Sequence, residues 1–252
     1  MKLIPNTANL NGMDCHLHSR FSPDARACGA DEPQKIADAV REKGLRGFII
    51  TDHLDVGHWD GYIIDFDKYF EAWERVRKDN PDLTIYIGLE VGFEPRYAEK
   101  TDKLISGLPF EYVINSIHYW KHPEEAGVHE KEYTAYLNAV LASLDAPYPF
   151  STVGHLGFLE RYLSREKPEH NMRYDMYRDL LDGIMDKALK KCVRFEENTN
   201  AGGEMRLPRA DFLKAYKARG GIKPVLGSDA HQSKSIGQYF PEAKIFLNDI
   251  FD

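Results

Sequence analysis

A chain of 252 residues is ample for one large core, and 42% hydrophobic with 29% charged residues excludes a disordered or low-complexity protein. The net charge of −7, with lysines and arginines mixed among acids throughout, argues against a nucleic-acid groove, and no apolar run approaches the ~20 residues of a membrane span. Three cysteines without paired spacing (Cys15, Cys28, Cys192) and a polar start lacking a signal-peptide core point to a reducing cytoplasm rather than a disulfide framework.

From residue 13 the chain alternates short apolar runs with amphipathic stretches of helical length. Met13–His18 reads as the first strand. Side chains alternate in an extended run, which places His16 and His18 on one face, Asp14 one step further back on it, and Cys15 and Leu17 on the other. Asp31–Lys43 reads as a helix along Ile36, Ala39 and Val40, stopped by Gly44. Gly47–Thr51 is apolar without alternation, as a strand covered on both faces should be, and leads to Asp52 and His53. Next come the helix Asp65–Lys78, the strand Ile85–Gly88 before Glu90, the helix Tyr97–Ser106, and the strand Tyr112–Ile117 before His118. Lys131–Leu144 is a helix, Ser151–Gly154 a short strand before His155, Arg173–Lys191 a helix and Val193–Thr199 a strand. The helix Ala210–Ala218 and the strand Pro224–Gly227 precede Asp229 and His231. A last helix spans Ile236–Ile250, where Pro241 marks a break or a first-turn position.

Seven βα units with no linker or repeat predict one domain, 1–252, of parallel strands joined by right-handed crossovers, as a closed barrel or a doubly wound sheet. The polar residues choose between these. Six of the seven predicted strands carry a candidate ligand at or just past the C-terminal end: His16/His18, His53, Glu90, His118, His155 and Asp229/His231. Barrel strand ends converge, whereas an open sheet would spread these residues too far for one metal centre. Each residue alone has an ordinary reading, as a hydrogen-bonded histidine, a helix cap or a turn. Six strand ends together point to metal. The set exceeds the three protein ligands of a usual catalytic zinc, which implies a multinuclear centre with Glu90 able to bridge through its two oxygens. His58, His122, His129 and His170, in loops or helix approaches, read as solvated surface.

D-C-H-L-H (14–18), T-D-H (51–53), G-L-E (88–90), N-S-I-H-Y (115–119), G-H (154–155) and G-S-D-A-H (227–231) resemble, in order, the motifs of the PHP (polymerase and histidinol phosphatase) metallohydrolase family. The resemblance covers nearly the whole chain. Asp24 in H-S-R-F-S-P-D, Glu94-Pro95, E-N-T (197–199) and I-G-Q-Y-F-P-E-A (236–243) make it most similar to the histidinol-phosphate phosphatases. The implied fold is α/β, a distorted seven-stranded (βα) TIM-like barrel of the PHP type. The implied cofactors are three divalent metal ions, drawn from zinc, iron and manganese. His16, His18, Glu90 and Asp229 would hold the first, Glu90, His118 and His155 the second, and His53, His231 and Asp24 the third, where many relatives have histidine in place of Asp24. Arg161 resembles a phosphate-binding arginine, whose fork suits bidentate contact. Arg206 corresponds to a second substrate-binding basic residue, although three extra residues separate it from the N-T motif. Glu197 stands where relatives are usually apolar.

Phosphate monoesters hydrolyse very slowly unaided, so catalysis needs a nucleophile present at neutral pH and neutralised phosphoryl charge. The implied reaction is direct hydrolysis of a small phosphorylated substrate, L-histidinol phosphate, by water activated between cations. Arg161 would contact the non-bridging oxygens, and a metal-bound water or Asp229 is the candidate proton donor to the leaving alkoxide. Nothing in this reading calls for nucleic acid, membrane or an obligate protein partner. Two alternatives stand beside it: a PHP phosphoesterase acting on a nucleotide or cyclic phosphodiester, and a non-catalytic metal-binding or regulatory domain. The complete ligand set argues against the second.

Overall fold

The computed structural model describes residues 1–120, 129–162, 171–200, 202 and 205–252; His122, His170 and the side chain of His129 fall outside them. Its parallel strands are β1 (Met13–Leu17), β2 (Gly47–Ile50), β3 (His53–Leu54), β4 (Thr84–Gly92), β5 (Tyr112–Ser116), β6 (Thr152–Val153), β7 (Arg194–Asn198) and β8 (Val225–Gly227). They are ordered β1-β2-β4-β5-β6-β7-β8, with β3 also on β4. Ile50 pairs with Ile87 and His53 with Glu90, so β3 resumes β2 in unchanged register, and the two make one interrupted stave. The count is therefore the predicted seven. A parallel bridge between Leu17 and Ala230 closes the ring, with the His18 N–H donating to the Ala230 carbonyl at 2.9 Å and the Asp229 N–H to that of His16 at 2.8 Å. The fold is a nearly closed TIM-like barrel.

The larger core lies between the strand wall and the helices. There Phe48, Ile50, Ile87 and Val113 meet Val40, Tyr69, Trp73, Leu137 and Ile184, each such burial contributing roughly 1.5–3 kcal/mol. A smaller cluster joins Met13 and Cys15 of β1, Ile49 of β2, Ile114 of β5 and Val225 of β8. Strands so far apart in the order can meet only inside the barrel, so this cluster is its apolar floor.

One expectation fails in β1. Asp14 pairs with Phe48 and Leu17 with Ile50, three steps against two, which marks a bulge. The extra residue shifts the phase, and Asp14 does not join His16 and His18. Its carboxylate instead accepts from the backbone N–H groups of Ser228 and Gly237, both at 2.9 Å. Elsewhere the differences are small. A short helix at Pro23–Ala27 was not expected, the helix Arg178–Lys190 starts later than predicted, and Pro241 sits in the first turn of the helix Phe240–Phe251. Among the described residues no helix is long and apolar enough to cross a membrane.

Candidate metal centre

The strand β4 runs nine residues and carries Glu90 to the barrel rim, beside His53 on one flank and Ile114 on the other. Glu90 is wholly buried, and its two oxygens face different partners. Oε1 lies 2.9 Å from His155 Nε2 and 3.3 Å from His118 Nε2. Oε2 lies 3.1 Å from His16 Nε2, 3.4 Å from His18 Nε2 and 3.1 Å from His53 Nδ1. Asp229 Oδ1 joins the second set, 3.2 Å from His18 Nε2 and 3.7 Å from His16 Nε2. Further out, Asp24 Oδ2 stands 3.2 Å from His53 Nε2 and 2.8 Å from His231 Nε2. All nine residues expected as ligands therefore meet at one rim.

The donor atoms fit bound cations. Atoms arranged tetrahedrally around an ion at ~2.0–2.1 Å lie about 3.3 Å from one another. The Nε2 atoms of His16 and His18 are 3.1 Å apart, and those of His118 and His155 are 3.4 Å apart. Glu90 Oε2 makes no hydrogen bond although it is buried among three imidazole nitrogens. Such an orphaned acceptor is costly, and a cation shared with those nitrogens would satisfy it. An all nitrogen and oxygen set without thiolate suits zinc, iron or manganese.

Groups behind the cluster hold the rings. His16 Nδ1 is 2.7 Å from Glu196 Oε1, and the same carboxylate accepts the His155 backbone N–H through Oε2 at 2.7 Å. His118 Nδ1 lies 2.7 Å from Asp55 Oδ1. His18 Nδ1 lies 3.0 Å from the Ser22 hydroxyl, which donates to Asp52 at 2.7 Å. Each contact turns the other ring nitrogen, with its lone pair, toward the cluster. These outer partners were missed in the sequence. The signal for Glu196 was its place on the one strand lacking a candidate, but nothing separated it from Glu197. Two glycines make the room. A Cβ at Gly92 would fall 1.8 Å from Asp55 Oδ1, and one at Gly227 would fall 2.0 Å from Glu196 Oε1.

The cluster draws positive charge. Burial would raise the Glu90 carboxyl, yet the imidazoles of His16, His53 and His118 hold it well below the usual carboxylate range. Burial is likewise outweighed at Asp229, by His16, His18 and Arg161. Burial brings His18 down to about 3, helped by the neighbouring imidazoles of His231 and His53, which leaves its ring neutral. At His118 the carboxylates of Asp55 and Glu90 overcome burial and carry it up to about 9.

Arg161 stands beside this cluster. One terminal nitrogen donates to Asn198 Oδ1 at 2.6 Å and to Asp229 Oδ2 at 2.9 Å, while its buried Nε has no hydrogen-bond partner. It lines a cavity of about 300 Å³ that opens over Glu90, His118, His155 and Asp229. Arg206 is not brought there. Its guanidinium lies over the Phe246 ring at 5.2 Å and 3.9 Å from Glu197, on the opposite face of β7 from Glu196. His58 departs from a solvated role. It stacks on Tyr119 with ring centroids 3.3 Å apart, and its Nε2 is 2.7 Å from Glu94 Oε2.

Comparison with known proteins agrees with this geometry. The chain is 26% identical over 241 residues to a probable histidinol-phosphatase of Clostridium acetobutylicum, covering 91% of this chain and 90% of that one. It is 27% identical over 243 residues to a histidinol-phosphatase of Lactococcus lactis, covering 88% and 85%. In three dimensions it is similar to the crystal structure of the Lactococcus lactis histidinol phosphate phosphatase complexed with zinc, L-histidinol and phosphate, with a TM-score of 0.78 at 22% identity over 95% and 94% of the two chains. The PHP domain model matches residues 14–200, most of the strands and all but two of the nine clustered residues. The chain belongs to the PHP domain family.

Proposed function

We propose that this protein is a divalent-cation-dependent phosphomonoesterase and that its substrate is L-histidinol phosphate. The observation that carries the reading is the divided carboxylate of Glu90, one oxygen among His118 and His155, the other among His16, His18 and Asp229, with Arg161 at the cavity wall. In this reading His16, His18, Glu90 and Asp229 hold one cation, Glu90, His118 and His155 a second, and Asp24, His53 and His231 a third. Cations there would polarise a phosphoryl oxygen and lower the pKa of water, supplying a nucleophile at neutral pH. Arg161, fixed by Asn198 and Asp229 at the cavity wall, would meet a phosphate oxygen with its guanidinium already oriented. Asp229 positions Arg161 through Oδ2 while Oδ1 faces the histidines. The apolar floor of Met13, Cys15 and Ile114 keeps water from below, which strengthens every charge interaction above it. Relatives named histidinol-phosphatase, and a structural neighbour complexed with zinc, L-histidinol and phosphate, support the choice of substrate.

Elemental analysis of the purified protein, followed by phosphate release from L-histidinol phosphate and from bis(p-nitrophenyl) phosphate with added manganese or zinc, tests the reading. Turnover of the monoester, abolished by chelation and restored by metal, is expected. Turnover of the diester alone would replace it with a phosphodiesterase.

A further inference from the structure

The mouth of the cavity is walled by aromatic rings that the chemistry above leaves unused. Trp59, Tyr119, Phe158 and Tyr162 line it beside the clustered acids and histidines. Trp59 is 41% exposed and Tyr162 61% exposed, although large apolar rings are ordinarily covered on folding. The backbone under Trp59 is also unusual. Trp59 and Asp60 have φ of 50° and 54°, a left-handed region that bulky residues avoid and that clusters at functional sites.

The loop is nonetheless fixed. A Cβ at Gly57 would lie 2.2 Å from the Tyr97 ring, so the backbone is packed against that side chain. His58 is stacked on Tyr119 and bonded to Glu94 at 2.7 Å. The Trp59 indole N–H reaches Asp55 Oδ2 at 3.4 Å, linking it to the carboxylate that orients His118. Three strands further round the barrel, Phe158 packs on His155 with ring centroids 5.0 Å apart, and Tyr162 follows it edge-on at 5.4 Å. A ring held in place before the ligand arrives loses little further freedom on binding.

We infer that Trp59, with Phe158 and Tyr162, forms the leaving-group subsite and selects phosphate esters of alcohols that carry a flat, unsaturated ring. The inference rests on the phosphomonoesterase reading and names the residues that choose its substrate. With phosphorus at the rim beside Arg161 and the floor closed, the alcohol extends outward, and aromatic walls stack flat rings and attract cationic ones.

The test uses the manganese-loaded protein and its Trp59→Leu and Trp59→Phe variants. Specificity constants are measured for L-histidinol phosphate, phenyl phosphate and glycerol 3-phosphate, and binding of L-histidinol by titration calorimetry. Trp59→Leu is expected to lower kcat/KM for the two ring-bearing esters about tenfold through KM, with a clearly smaller loss on glycerol 3-phosphate. It is also expected to weaken L-histidinol binding about as much, and Trp59→Phe to restore most of both. An equal loss on all three esters, or unchanged L-histidinol binding, overturns the subsite. Should the wild type turn over phenyl phosphate in a Trp59-dependent way but ignore L-histidinol phosphate, the proposed substrate falls and the subsite stands. Should it hydrolyse L-histidinol phosphate with a preference that Trp59→Leu leaves intact, the subsite falls and the proposed function stands.

Discussion

Glu90 and Glu197 are equally hidden from water, yet their protons behave oppositely. Glu90 sits among imidazoles that hold its carboxyl well below the ordinary range. Glu197, on the outward face of β7, has neither oxygen in a hydrogen bond, and Arg206 Nε is 3.9 Å away; burial pushes its pKa well above the ordinary value. Burial is common to both, so what separates them is how many positive partners surround the carboxylate. One is a place where charge gathers, and the other is a standing cost to folding.

Three changes would break or sharpen that contrast. The largest effect is expected from Glu90→Gln, which keeps the shape and removes the charge. Phosphate release should fall about 10³-fold or more, and elemental analysis should find fewer cations per chain. Full cation occupancy in that variant would sink the idea that this carboxylate organises the site. A middle effect is expected from Glu196→Gln, which leaves every clustered atom in place but loosens the hold on His16 and the His155 backbone. Competition against a chelator should show cation affinity lower by roughly 10–100-fold. The smallest effect, and of opposite sign, is expected from Glu197→Met. Its raised folded pKa means that the unfolded chain ionises first as pH climbs past about 4.5, so the pH-dependent part of the Glu197 cost is absent below that pH and grows above it, on top of the cost of a buried carboxyl without hydrogen bonds. Denaturant unfolding should therefore find the variant more stable by ~1–2 kcal/mol near pH 8, by less near pH 4, and unchanged in activity.

The clustering of these residues was legible because its logic survives local error. Parallel strands of a barrel bring their C-terminal ends together whatever the details of each, so His16, Glu90, His155 and Asp229 could be placed from strand order alone. Phase was not legible. The bulge in β1 leaves no mark in D-C-H-L-H, and it carried Asp14 off the expected face to the N–H groups of Ser228 and Gly237. Alternation along β7 guarantees that Glu196 and Glu197 part company, but only the structure says which faces the barrel interior. The helix Pro23–Ala27, with Ala25 its one buried residue, has no apolar rhythm to read, although it delivers Asp24. Arg206 and His58 depended on partners far off in sequence: Phe246 draws the first away from the cavity, and Tyr119 and Glu94 cover the second.

The ring of strands is joined most sparingly where β8 meets β1, by one bridge and two backbone hydrogen bonds among the described residues. His16 and His18 lie on one lip of that join and Asp229 and His231 on the other. An ion gripped from both lips would act as a rivet, its affinity adding to the free energy that keeps the cylinder circular. Loading the protein and shutting its wall would then be coupled, so a chelator that stripped the ion would also slacken the hoop.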